Sequence, residues 1–195
     1  MNAELLEVLE NIDAVKKGHF LLSSGNHSDT YFQMALALQH YDIAMEIAEN
    51  IASFYSGEII DVVIGPAVGA IVLAHEVARV LESRSIYAER DSSGNMVLRR
   101  GFEIKPEERV IVVEDVFTTG DSVARVAELV QRSGGVVAGI ATIVNRSEQR
   151  TPKVRSIPVR SLIKVKADVF KPDECPLCKK GLPIEKPGSN PKVKS

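Results

Sequence analysis

Several groups of residues in this 195-residue chain have the types and spacing to handle phosphorylated substrates. The most informative is Arg109 to Val126, RVIVVEDVFTTGDSVARV, an apolar strand that ends in adjacent carboxylates, Glu114 and Asp115, before a small hydroxyl-rich turn and a helix. In an open α/β sheet, ligands sit beyond the carboxyl ends of the strands, where these acids fall. Val116 and Phe117 lead into Thr118, Thr119, Gly120, Asp121 and Ser122. That loop offers consecutive backbone N–H groups, three hydroxyls and one glycine at a helix N-terminus with partial positive charge, a cradle for phosphate. No Gly-Lys-Thr/Ser closes the loop, which argues against a Walker-type nucleotide site. Ionised carboxylates only accept hydrogen bonds, so two of them beside a monophosphate cradle suit the 2′- and 3′-hydroxyls of a ribose 5-phosphate. The plainer alternative is that Asp115 or Asp121 caps the helix and Glu114 is solvated.

Other residues gather around this motif. Pro66, Ala67, Val68 and Gly69 turn between an apolar strand and a helix; their amides could take pyrophosphate, although the turn alone reads as structural. Arg146 follows the run Ile140 to Val144 and so points from a strand's carboxyl end, suited to a planar carboxylate or to a surface ion pair. Tyr31 and Phe32 fit either a ligand's ring or the core. Between the strands at Ser85 to Ala88 and Val110, the cations Arg90, Arg99, Arg100 and Lys105 accompany a flexible tip, Ser92, Ser93 and Gly94, consistent with a lid. Of these, Arg90 sits at the strand end. Cys175-Pro-Leu-Cys178 is half of a zinc-knuckle pattern. It reads first as a reduced thiol pair, since a metal would need histidines or a second subunit.

The elements that must position these residues follow from hydrophobic periodicity. Leu5, Leu6, Leu9 and Ile12 predict a first helix ending at Lys16, Lys17 and Gly18, and Ile43 to Phe54 a second. Ile59 to Ile64, Ser85 to Ala88, Val110 to Val113 and Val136 to Val144 read as strands, with helices over Gly69 to Leu81 and Ser122 to Arg132. This alternation predicts an α/β fold with a mostly parallel sheet flanked by helices. The expected division is a single domain over 1–170, including an N-terminal helical hood, and an extended proline-rich tail over 171–195.

Composition narrows the function. A formal net charge of −2 gives no general field for nucleic acid, so seven basic residues against Glu148 between Asn145 and Lys166 read as a solvated or subunit face. The longest apolar run, Val62 to Ala74, is too short for a membrane span at about 20 residues. With no readable secretory signal and only two cysteines, the expected location is the cytoplasm.

EDVFTTGDS resembles the phosphoribosyl pyrophosphate (PRPP) motif of the type I phosphoribosyltransferases. GHFLLSSGNHSDTYFQ, VVIGPAVGAIVLA and IVNRSEQ extend the resemblance, in particular to the orotate-specific members, over most of residues 1 to 185. The resemblance implies the type I phosphoribosyltransferase fold and transfer of ribose 5-phosphate from PRPP to orotate in pyrimidine biosynthesis. It implies PRPP binding by Glu114 to Ser122, with Asp115 and Arg90 catalytic, and a pyrophosphate loop at Pro66 to Gly69. Orotate would meet Tyr31, Phe32, Thr118 and Arg146. Mg²⁺ would be held mainly through PRPP and water, and the protein would be a homodimer with no membrane or nucleic-acid partner. Two departures stand out: Ser23 replaces a family cation, and the lid lacks histidine. The alternatives are a purine or other-base phosphoribosyltransferase and a PRPP-sensing regulator without catalysis.

Overall fold

The computed structural model describes residues 2–22, 24–149 and 151–187, so Ser23 lies outside the described residues. In chain order the elements are α1 (Asn2–Asn11), β1 (Val15–Leu21), β2 (His27–Phe32), α2 (Ala35–Leu38), α3 (Tyr41–Ser53), β3 (Val62–Pro66), α4 (Ile71–Val80), β4 (Arg84–Arg90) and β5 (Met96–Val97). They continue with β6 (Arg109–Phe117), α5 (Asp121–Arg132), β7 (Val136–Asn145), β8 (Lys153–Val154), β9 (Ile157–Lys164), β10 (Val169–Phe170) and α6 (Pro176–Lys179). These form two compact units, residues 38–165 and residues 1–37 with 166–195.

The larger unit is a seven-stranded sheet in the order β5-β4-β3-β6-β7-β9-β8. Its five central strands pair in parallel, and only the short edge strands β5 and β8 run antiparallel. Every residue of β3 is buried, as expected of a parallel strand covered on both faces. Ile47, Ala48 and Ile51 of α3, Leu73, Ala74 and Val77 of α4, and Val123, Val126, Ala127 and Val130 of α5 supply the helical side of the core. From β3 the chain crosses through α4 outward to β4; from β6 it crosses through α5 in the other direction to β7. The strand order therefore reverses between β3 and β6, and in such sheets ligands sit in the crevice at the carboxyl ends of the strands at this point.

The smaller unit is built on an antiparallel sheet in the order β1-β2-β10. Its chain path corrects the expected first helix, which ends at Asn11 rather than at Lys16 to Gly18. Asp13 takes a left-handed φ of 61°, the Ala14 N–H donates to Leu9 O, and Val15 already pairs with Phe32. Lys16 and Lys17 are strand residues whose flanking Val15 and Phe20 are buried. After α6 the chain returns to β1, with the Leu21 N–H donating to Glu185 O and the Glu185 N–H to His19 O.

Two strand boundaries also move. β3 starts at Val62, because Ile59 is 78% exposed and Asp61 is occupied with Arg109: its N–H donates to Arg109 O and its Oδ2 accepts the Arg109 N–H. At the other end, β6 does not stop before the acids. Glu114, Val116 and Phe117 pair with Thr142, Val144 and Asn145 of β7, so the carboxylates belong to the strand itself.

Candidate active site

The two acids leave β6 on opposite sides of the strand, because side chains alternate along an extended backbone. Both are half-buried. The Val116 N–H donates to Asp115 Oδ1 at 2.7 Å, and the fully buried Thr142 hydroxyl lies 3.3 Å from the Asp115 carbonyl. Burial, followed by the negative charge of Asp115, pushes the Glu114 carboxyl up to about 9, while Arg90 opposes the shift. Without ligand, Glu114 is therefore protonated at neutral pH.

The turn at Pro66 to Gly69 comes directly against this pair. A β-carbon placed on Gly69 would stand 2.8 Å from Asp115 Oδ2, so only glycine lets the turn approach the carboxylate so closely. Gly65, one strand residue earlier, is equally tight, with a β-carbon 2.6 Å from that of Ala70 and 3.2 Å from Val113 O. The Ala67–Val68 peptide is cis, and the Ala67 N–H donates to Ala88 O on β4. Val68 and Gly69 are exposed at the mouth of the crevice.

Thr118 and Thr119 are exposed, and Gly120 turns the chain into α5 with φ +82°. Gly120 is doubly constrained: a β-carbon there would also lie 2.8 Å from the Phe117 ring. The plain capping alternative is excluded. Gly120 holds the N-cap position, Asp121 pairs with Arg125 at 3.0 Å, and Asp115 accepts from Val116. Among the described residues no N-cap side chain is bonded to the first turn of α5, and only the Thr119 hydroxyl meets the Asp121 N–H, at 3.5 Å, so the helix's positive end is left open, as suits an anion.

Arg90, at the end of β4, donates to Ser122 Oγ at 3.2 Å and to Gly94 O at 3.3 Å. It brings a guanidinium to the α5 N-terminus and its field to Glu114. The other cations of the segment are differently placed. Arg100 pairs with Glu89 at 2.9 Å and lies over the Tyr87 ring, and the main-chain N–H of Lys105 is held by Glu108. Arg99 acts on Asp91. The tip expected to be flexible is a hydrogen-bonded hairpin turn in which Asp91 Oδ1 accepts the N–H groups of both Ser93 and Asn95 at 2.8 Å.

Arg146 follows β7, its N–H donating to Phe117 O at 3.0 Å. The turn that follows is held by the buried Asn145, whose side chain accepts the Ser147 N–H and hydroxyl and donates to Gln149 O. The sequence reading missed Asn145 and Thr142; a polar residue at the end of a buried apolar strand was the signal available. Tyr31 and Phe32 belong to the smaller unit, on β2, where Phe32 is buried and the half-exposed Tyr31 ring lies 5.6 Å from that of Phe20. Several basic residues of the 145–166 stretch are engaged: Arg155 with Glu128, Arg160 with Phe54 O and the Tyr55 ring, and Lys164 with Glu148 O.

Comparison with known proteins agrees with this arrangement. The family model described as phosphoribosyl transferase domain matches residues 36–174. An orotate phosphoribosyltransferase from Caldanaerobacter subterraneus subsp. tengcongensis is 49% identical over 186 residues, covering 95% of this chain and 96% of the relative. One from Caldicellulosiruptor saccharolyticus is 47% identical over 195 residues, the whole of both chains. Among solved structures, the orotate phosphoribosyltransferase from Aeropyrum pernix superposes with a TM-score of 0.70 at 27% identity, covering 83% of this chain and 93% of that one. With a family model covering residues 36–174 and relatives of 47–49% identity over nearly the whole of both chains, the chain belongs to the phosphoribosyltransferase family, in its orotate phosphoribosyltransferase group.

Proposed function

We propose that the chain transfers ribose 5-phosphate from PRPP to orotate, giving orotidine 5′-phosphate and pyrophosphate. The observation that carries this reading is the convergence at one crevice of the Glu114–Asp115 pair, the Gly69 turn and the uncapped, Arg90-flanked N-terminus of α5. Its relatives of nearly equal length carry the name of the same activity.

In this reading, Asp115 and Glu114 accept hydrogen bonds from the ribose hydroxyls, and the N–H groups and hydroxyls of Thr118 to Ser122 hold the 5′-phosphate. The turn from Pro66 to Gly69 meets the diphosphate, and Arg90 stabilises its charge as it leaves. Arg146 and Thr118 bind orotate, the arginine taking the substrate carboxylate. The bond from the anomeric carbon to the diphosphate oxygen breaks with its electrons going to the diphosphate, through an oxocarbenium-like state, while a ring nitrogen of deprotonated orotate forms the new bond. No protein nucleophile is needed. The side chains work by orienting two anions and by placing positive charge where the leaving group develops negative charge.

The oxygen-rich pair on β6 suits a hard divalent cation nearby, whose charge would offset the burial and the Asp115 repulsion that hold Glu114 protonated. Mg²⁺, held mainly through PRPP and water, would neutralise diphosphate charge. We place the enzyme in the cytoplasm as a homodimer. The test is to mix the protein with orotate, PRPP and Mg²⁺ and follow the loss of orotate absorbance. Consumption of a purine base in its place, or PRPP binding without turnover, would overturn the assignment.

A further inference from the structure

Far along the sequence from the phosphate machinery, four metal-binding side chains meet within the smaller unit. His19 of β1, His27 of β2, and Cys175 and Cys178 at the ends of the first turn of α6 bring one ligand atom each to within 4.8 Å of all the others. Both histidines and Cys175 are buried, whereas Cys178 is exposed. We infer that His19, His27, Cys175 and Cys178 form a closed structural Zn²⁺ site that ties the C-terminal segment to the β1–β2 hairpin.

The distances carry the inference. Tetrahedral zinc with Zn–S of about 2.3 Å and Zn–N of about 2.05 Å sets sulfur and nitrogen ligands about 3.6 Å apart, and two nitrogens about 3.3 Å apart. Here His19 Nε2 lies 3.6 Å from each sulfur, Cys178 Sγ lies 3.3 Å from His27 Nδ1, and the two nitrogens are 2.9 Å apart. All four values are within a few tenths of an ångström of the tetrahedral set.

Hydrogen bonding alone does not account for this cluster. The Nδ1 of His19 is 2.9 Å from Leu182 O, an acceptor only, so its proton sits on Nδ1 and Nε2 keeps a single lone pair. Three groups converge on that one lone pair: a ring nitrogen and two thiols. One lone pair serves one good donor, so no arrangement of hydrogens satisfies all three contacts at Nε2 at once. A cation at the centre satisfies all four. The carbonyl behind His19 is also the usual partner that orients a metal-bound imidazole.

The donor set selects the metal. Two thiolates and two neutral imidazoles in tetrahedral array suit Zn²⁺, and two thiolates cancel its charge, so a neutral assembly is buried. The Cys-x-x-Cys spacing across one helical turn is that of a zinc knuckle, and the exposed Cys178 gives the ion a way in. With all four positions filled by protein, the site is structural rather than hydrolytic.

The full chain should be stripped with chelator under reducing conditions, given Zn²⁺, freed of excess by gel filtration and analysed for metal. About one zinc per chain is expected, retained with Mg²⁺ present in excess. Substitution with Co²⁺ should give the intense visible bands of a tetrahedral ion together with thiolate charge-transfer absorption. His19→Gln and Cys178→Ser should each lose most of the zinc. If those variants do not fold, the metal content and cobalt spectrum of the unaltered chain decide alone. Less than a tenth of a zinc per chain, a pale octahedral cobalt spectrum, or full zinc retention by both folded variants would overturn the site. A Cys175–Cys178 disulfide that forms in place of zinc uptake would do the same.

Discussion

Replacing Gly69 by alanine tests the union of the two halves of the crevice. The added β-carbon would stand 2.8 Å from Oδ2, 3.2 Å from Cγ and 3.4 Å from Oδ1 of Asp115. Non-bonded heavy atoms rest about 3.5 Å apart, so the carboxylate must retreat by roughly half an ångström or more. Gly69 is outside the left-handed region, so the backbone itself is not strained by alanine. The retreat breaks the 2.7 Å hydrogen bond from the Val116 N–H and displaces the acceptor meant for a ribose hydroxyl. A hydrogen bond to a charged group contributes about 1.5–3 kcal/mol, equivalent to roughly a 10- to 150-fold loss in kcat/KM for PRPP. Thermal stability should change little, because the half-exposed carboxylate can turn toward solvent. Gly57→Ala is the control: its φ of +81° makes alanine strained by about 1–2 kcal/mol, yet no atom lies within 4 Å of the new β-carbon. It should lower Tm and leave the kinetics intact. Initial rates of orotate consumption at varied PRPP provide the assay. A Gly69→Ala enzyme within two-fold of the unaltered kcat/KM would refute the coupling of this turn to Asp115.

Three further outcomes are expected. Arg90→Ala should reduce kcat/KM for PRPP by at least tenfold, whereas Arg100→Ala loses only its surface pair with Glu89, about 0.2–1 kcal/mol of stability; similar activities would remove Arg90 from the site. Glu114 ionises near 9 when folded and near 4.5 when free of the fold, so between these values the folded chain holds the extra proton and ligand-free stability falls as pH rises. If PRPP with Mg²⁺ needs the ionised acid, calorimetry in buffers of different ionisation enthalpy should show proton release at pH 7, absent in Glu114→Gln; no buffer dependence for the unaltered chain would contradict this. Gly139→Ala puts a β-carbon 2.3 Å from the buried Tyr55 ring and should destabilise the chain by about 1–3 kcal/mol or more, while Tyr55→Phe, which removes a buried hydroxyl without a partner among the described residues, should be neutral or stabilising in thermal melts.

The parallel sheet was legible because its strands are apolar on both faces: Val62 to Ile64, Val110 to Val113 and Val136 to Val144 announce themselves by composition. The strand, turn and helix over residues 109–132 were legible because they are contiguous. β9 was hidden because Arg160 and Lys164 alternate with buried Val159 and Ile163, a half-buried pattern that basic content obscured. β1 was hidden in the same way by Lys16 and Lys17. The approach of Gly69 to Asp115, and of His19 to Cys178, joins residues 46 and 159 positions apart; local periodicity carries no sign of either.

The smaller unit has a consequence for how the chain comes into being. Its hairpin is made before residues 38–165, but the β10 strand that completes its sheet, the Glu185 that bridges to Phe20 and the two cysteines are made after them. Residues 38–165 are contiguous and can collapse as soon as they leave the ribosome, whereas the N-terminal hairpin must wait for almost the whole chain to be synthesised. Until then β2 presents an unpaired edge, with His27 and Ser28 awaiting Phe170 and Val169. A chain that stalls before residue 169 therefore carries an open strand edge into a crowded environment, and such nascent chains are the ones expected to engage chaperones.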